Sequence, residues 1–188
     1  GPYRVPCALL SEYMGLSIDK PMNLYRYPIK AAEARLAQTH VFKSVKVKRL
    51  PPSSLLIEYE LRKPVFLSAT ESNTAIDEEG MAFPYYPFYS PKKLPELILA
   101  GSITWGTKTD VSLPLLFLSQ LKSLKLCDLS RMELDSLGER EIILKASKAY
   151  FRLKPDHLEN IQYLKDFLGF KGVVDARIPN NLIVRELE

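Results

Sequence analysis

The chain has 188 residues, 46% hydrophobic and 26% charged, an ordinary globular composition that excludes a wholly disordered protein. Its net charge of +4 is mild, and the basic residues are scattered rather than gathered into a stripe, so no nucleic-acid partner is implied. No apolar run approaches the roughly 18 residues that cross a bilayer.

The length fits one domain of ordinary size or two small ones. The opening Gly1-Pro2 reads as the scar of a cleaved fusion tag, so an excised soluble piece is expected, with any targeting or membrane segment upstream. Proline, with 14 residues, cuts the chain into short segments. After Pro6, Leu9, Leu10, Tyr13, Met14 and Leu16 fall at helical spacing, and Gly15 offers a stop. A second short helix is predicted after Pro28, with Ile29, Ala32 and Leu36 on one face. The period then switches to two. Val45 and Val47 alternate with Lys46 and Lys48, and after Pro51-Pro52-Ser53-Ser54 the alternation resumes through Leu55, Ile57, Tyr59 and Leu61. That pattern predicts a hairpin with one buried face, its solvent face setting Lys46 and Lys48 near Glu58 and Glu60.

Beyond Pro64 the reading is of short strands, Val65 to Ala69, Thr74 to Ile76 and Met81 to Phe83, broken by the acidic turn Asp77-Glu78-Glu79-Gly80. Pro84 to Pro95 carries four prolines and the aromatics Tyr85, Tyr86, Phe88 and Tyr89, which predicts an ordered but irregular loop. It could expose a contact patch or pack back onto its own domain. Ser112 to Leu124 reads as a helix, followed by a meander of Met132 to Leu134, Ile142 to Leu144 and Ala149 to Leu153. Asp156 can cap a helix bearing Leu158, Ile161, Leu164, Phe167 and Leu168. Val174 to Ile178 and Leu182 to Leu187 close the chain as a hairpin turning at Pro179-Asn180-Asn181. The class is α+β and mostly antiparallel. A small unit at 1–66, helices on a short sheet, precedes a larger β unit with two helices at 67–188, and the boundary lies near 63 to 70.

A search for chemistry returns little. Cys7 and Cys127 stand far apart and share no ligand spacing with His40 or His157, so neither metal nor cofactor is expected. A disulfide between the two cysteines stays open, but the favoured reading is two part-buried free thiols. Gly101 to Thr109 misses a P-loop because Thr107 separates Gly106 from Lys108. Ser-x-x-Lys occurs at Ser17/Lys20, Ser90/Lys93 and Ser119/Lys122, without the companion elements a penicillin-binding enzyme needs. Asp77, Glu78 and Glu79 read as a solvated turn rather than paired acids across a cleft. His40 is expected to end a helix and His157 to sit in a first turn, neither with a local partner for general-base work. No enzyme is predicted.

The stretch from Asn23 to Leu67 resembles the polypeptide-transport-associated (POTRA) domain of the FtsQ/DivIB family of bacterial cell-division proteins. The elements that carry the resemblance are Asn23-Leu24-Tyr25, Leu36, Val45, Val47-Lys48-Arg49, Leu50-Pro51, Leu55-Leu56-Ile57 and Leu61-Arg62-Lys63-Pro64-Val65. Further on, Ile76 to Phe83 is similar to the family's Ile-Asp-x-x-Gly-x-x-Phe hairpin, Leu94-Pro95-Glu96-Leu97 to its Leu-Pro step, and Val174 to Ile178 to its closing strand. There are departures: Thr39-His40-Val41 replaces a proline-containing step, and Leu61 stands where Glu is common. Only Tyr3-Arg4-Val5 is left to supply the first POTRA strand, so a sheet that is two-stranded or trimmed at its start is expected.

The resemblance implies a non-enzymatic divisome scaffold, single-pass in the bacterial inner membrane, with this region in the periplasm and its transmembrane helix upstream. Its implied partners are FtsB/DivIC-like and FtsL-like coiled-coil proteins, with the septal synthase complex as a further candidate, and its role is to regulate septal peptidoglycan synthesis. The family's partner-binding region maps onto Asn181, Leu182, Ile183, Val184, Arg185 and Glu186, more loosely onto the helix Asp156 to Leu168, and onto Arg140 in the meander. The residues supply a physical route, because a closing strand at a sheet edge presents unpaired backbone groups that accept an added strand. Arg62 and Lys63 read as a solvated strand end. The alternatives are a POTRA-type chaperone module of outer-membrane assembly or secretion, and a wall-active enzyme using a Ser-x-x-Lys site.

Overall fold

Pro6, which has no N–H to leave unpaired, opens α1 (Cys7–Tyr13), and its carbonyl accepts the first helical bond from Leu10 N–H at 3.1 Å. The computed structural model describes residues 4–17, 19–99, 101–123, 129–134, 141–146, 148–167 and 169–187. A short 3-10 turn, Leu24–Arg26, is capped by the Asn23 side chain. It leads to α2 (Ile29–Ala37), which buries Ala32 and Leu36 as their spacing predicts. β1 (Phe42–Leu50) and β2 (Ser54–Leu61) then form a two-stranded antiparallel sheet in the expected register. Lys46 pairs with Glu58, and Lys48 Nζ lies 2.7 Å from the Glu58 carboxylate. Arg4 and Val5 form no strand; Val5 is buried, and its N–H donates to the Tyr59 hydroxyl at 3.2 Å.

The rest of the chain builds a second sheet, so the fold is α+β and mostly antiparallel. Its strands are β3 (Phe66–Ser68), β4 (Thr74–Ile76), β5 (Ala82–Pro84), β6 (Glu96–Ile98), β7 (Leu129–Leu134), β8 (Ile142–Ala146), β9 (Ala149–Leu153), β10 (Gly172–Ile178) and β11 (Asn181–Glu186). The spatial order is β11-β10-β9-β8-β7-β6-β3-β4-β5. Three joints are parallel, β3 with β6, β6 with β7, and β9 with β10; the other five are antiparallel. Alternation along β8, β9 and β10 turns Leu144, Phe151 and Val174 into a core. Phe117 and Leu121 of α3 (Ser112–Ser123) and Ile161 and Leu164 of a 3-10 helix (Pro155–Phe167) cover it.

That last element corrects an expectation, since an ordinary α-helix is predicted there. In the sequence Leu158, Ile161, Leu164 and Phe167 recur every third residue, and a three-residue period suits the eclipsed stripe of a 3-10 helix. The helix is kinked at His157 (φ −127°).

The β4–β5 hairpin explains how the two sheets meet. All six of its residues are buried. Ile76 and Ala82 face the main core, whereas Ala75 and Phe83 join a second core with Leu10, Met14, Leu36, Val41 and Phe42. Such a strand reads as a continuous apolar run because both faces are covered. The loop after β5 belongs to the same interface. Phe88 stacks on Tyr13 of α1 at 5.6 Å and meets Phe42 of β1 edge-on at 6.2 Å, while Tyr89 hydroxyl donates to Arg62 C=O at 2.6 Å. The aromatic loop therefore packs on α1 and β1, not only on its own sheet.

Three further expectations differ from the structure. In the Asp77 to Gly80 turn Glu78 and Glu79 are exposed as expected, but Asp77 is buried and pairs with Arg62 at 2.7 Å. Its other oxygen accepts the N–H of Glu79 and of Met81 at 2.9 and 2.8 Å. Arg62 is accordingly no solvated strand end: it also reaches Glu79 and donates to His40 C=O at 3.2 Å, whereas Lys63 is exposed. Lys43 completes the group at 2.5 Å from Glu79. The physical reason is that the turn docks where β2 ends, a neighbourhood that local sequence does not reveal. Cys7 is exposed rather than part-buried, since α1 turns Leu10 inward instead. Cys127 lies outside the described residues.

Candidate functional site

Asn180, in the left-handed region at φ +54°, makes the tight turn that folds β11 back on β10. The register runs Gly172 with Glu186, Val173 with Arg185, Val174 with Val184 and Asp175 with Ile183, then shifts before Ile178 meets Asn181. Leu187 N–H donates to Lys171 C=O at 3.1 Å. In an antiparallel ladder the bonded pairs alternate, so Ile183 and Arg185 also turn their peptide groups toward β10. Val184 and Glu186 turn theirs outward. β11 is the terminal strand of the sheet, and among the described residues no strand lies beyond it.

The side chains divide by parity. Leu182 packs on the main core, and Val184 lies opposite buried Val174, yet 42% of Val184 remains exposed. Ile183 lies opposite Asp175 on the other face and is 45% exposed. With Ile178 and Leu187, these residues give the edge an apolar surface on both faces. Such a strand offers a backbone ladder together with side-chain contacts for an incoming strand.

Behind Ile183 lies a charged network that motif reading did not find. Across the sheet Ile143 pairs with Arg152, and Arg152 with Asp175. Glu141, only 4% exposed, accepts hydrogen bonds from the Arg152 guanidinium, one of them at 2.9 Å, and from Arg177 at 3.4 Å. Arg177 also forks onto Asp175 at 2.6 and 2.8 Å. Those hydrogen bonds hold the Asp175 carboxyl below the usual carboxylate range against the opposing effect of burial. The bond to Glu141 likewise raises Arg152 further above its ordinary value. Two acids and two arginines thus stiffen the sheet face that backs the edge. Asp175 and Arg177 stand two apart and were legible as a pair, but Glu141 and Arg152 meet only through the β8–β9 register.

The 3-10 helix contributes from the core side. Asn160 is fully buried, and its amide donates to the carbonyls of Ala176 and Ile178 at 2.8 and 3.2 Å. These carbonyls lie at the end of β10, where its pairing with β9 stops at Ala176. The helix so anchors the hairpin that carries the edge. Of the predicted partner-binding residues, Asn181 to Glu186 form β11 itself, and Arg140 lies outside the described residues.

Elsewhere, Gly101 to Thr109 is a loop apart from a single bridge between Met81 and Lys108. No described helix is long and apolar enough to cross a membrane, and the described residues hold no cluster of three metal-ligating side chains. Neither a scan against protein-family models nor a search of curated proteins finds a match for this chain.

Proposed function

We propose that this chain is the periplasmic part of an FtsQ/DivIB-type scaffold, a POTRA unit followed by a β unit. It binds FtsB/DivIC-like and FtsL-like division proteins by strand addition along β11. A transmembrane helix upstream of this segment tethers it to the inner membrane, and partner binding regulates septal peptidoglycan synthesis without catalysis by the chain itself. The sequence resemblance names the partners. The observation that carries the binding mode is the outer edge of β11, where Val184 and Glu186 direct their peptide groups away from β10.

A titration against the periplasmic segments of the two partners tests this, comparing the native chain with Val184→Pro. Proline removes an outward N–H while leaving the β10 ladder in place. Loss of binding with circular dichroism unchanged is the expected result. Binding that survives the substitution moves the contact off the strand edge. No binding by the native chain returns the assignment to a chaperone module of outer-membrane assembly.

A further inference from the structure

Two aromatic rings stand out of the surface on the far side of the molecule from β11 in the strand order. Tyr86 is 71% exposed and Trp105 is 49% exposed, yet neither is loosely held. Asn73, at φ +54°, donates its amide to Tyr86 C=O at 3.0 Å and accepts Tyr86 N–H at 2.6 Å. The next residue, Thr74, accepts the Trp105 indole N–H at 3.0 Å. Consecutive residues at the start of β4 therefore pin both aromatic positions while their ring faces stay in solvent. Burying such faces is favourable, so holding them out ready for a ligand removes part of the ordering cost of binding.

The rings border a cleft of about 620 Å³, within the usual range for small-ligand sites. Its opposite wall comes from the first two helices and brings Glu12, Arg35 and Gln38. Arg35 commits one guanidinium N–H to Met14 C=O at 3.2 Å. Neither the Glu12 nor the Gln38 side chain has a hydrogen-bond partner among the described residues. A second cleft of about 460 Å³ lies on the other side of Trp105 and shares Gln38, with Glu71 and His40 on its walls.

The chemistry selects the occupant. One carboxylate and one guanidinium cancel, which disfavours a strongly charged ligand. Planar acceptors and donors opposite flat π faces suit a molecule with hydroxyls on its rim and polarised C–H groups on its face. That is a pyranose, whose positive C–H edge meets the negative face of an aromatic ring. We infer that the Tyr86–Trp105 cleft binds a neutral oligosaccharide. The inference stands apart from β11 and does not depend on it.

Trp105 is the single tryptophan of the chain, so indole emission reports on the surface around this ring, and Tyr86→Ala assigns a response to the cleft that Tyr86 borders. The full chain would be titrated with tetramers of β-1,4-linked N-acetylglucosamine and of β-1,4-linked glucose, and with a proline decapeptide. A saturable change in emission with either tetramer is expected, weakened about tenfold or more by Tyr86→Ala and by Gln38→Ala, a loss of about 1.4 kcal/mol. The two variants change opposite walls at exposed positions, so one remains informative if the other misfolds. No saturable response to either tetramer overturns the inference, as does a response that both variants retain. Saturation by the proline peptide alone assigns the cleft to peptide and overturns it equally.

Discussion

The two ends of the large sheet treat the same problem in opposite ways. At one end β5 has only three residues, all buried, and a loop covers its outer side. Ala82 N–H donates to Thr107 C=O at 3.0 Å, and Ala82 C=O accepts Gly106 N–H at 2.8 Å. The next contact, Thr109 N–H to Gly80 C=O at 2.9 Å, needs a glycine: Gly80 has φ +81°, and a Cβ there would lie 1.9 Å from Thr109 O. At the other end β11 has six residues, mostly exposed, and carries Arg185 and Glu186 where it faces solvent. An uncovered edge invites pairing, and covering it with a loop is one ordinary remedy. Among the described residues the difference leaves β11, and not β5, with peptide groups that face away from the sheet and meet no covering loop.

Ala82 and Val184 are counterparts, because each turns its N–H away from the sheet. The largest expected effect is therefore Ala82→Pro, which strips Thr107 C=O of its donor and forces a ring into a fully buried site. A loss of about 4 kcal/mol is expected in urea unfolding, from the unsatisfied carbonyl plus overpacking. A loss below about 1 kcal/mol would mean that the loop does not close that edge. Arg62→Met comes next. It leaves Asp77 buried without its cation and should cost about 3 kcal/mol, since breaking one side of a buried pair exceeds the value of the pair itself. An effect no larger than that of Lys43→Met, whose side chain is exposed, would show that the Arg62–Asp77 contact does not hold the turn against β2.

How far the fold was legible follows from the range of the interactions. The β1–β2 hairpin was readable residue by residue, because period-two alternation and the Lys46–Glu58 pairing are local. The β10–β11 hairpin was readable from its local pattern and turn, whereas its place at the sheet edge depends on the order of all nine strands. Arg62 with Asp77 was not, because a run of three acids beside a glycine looks solvated until the segment it docks against is known. Phe88 and Tyr89 carried no sign of whether they face outward or inward; the ring partners of Phe88, Tyr13 and Phe42, and the Arg62 carbonyl that Tyr89 meets belong to distant segments. Glu141 with Arg152 and Arg177 was likewise invisible, as only the strand register brings them together. The three-residue apolar repeat over Leu158 to Phe167 was on the page but was read with the commoner helical period.

The charged network behind β11 gives a smaller effect with a definite sign. Asp175 titrates lower in the folded chain than in the unfolded one, where a carboxylate of this kind has a pKa of about 3.9. Its stabilisation is thus fully present above that value and is lost as pH falls through the depressed folded pKa. Unfolding followed from pH 6 down to about pH 2 should show the native chain losing more stability than Asp175→Asn. Equal slopes in the two proteins would remove Asp175 from the groups that stiffen the edge.

The smallest effect sharpens the comparison most. Val184→Pro should cost no more than about 1 kcal/mol, because the N–H it removes donates to nothing within the described chain and the site is already largely exposed. The same substitution that unfolds the β5 edge should therefore leave the β11 edge folded, and the contrast between the two measures how much backbone bonding each edge holds. If Val184→Pro instead costs as much as Ala82→Pro, the Val184 peptide already has a partner. The outer side of β11 would then be closed like that of β5, and an incoming strand would have no ladder to join.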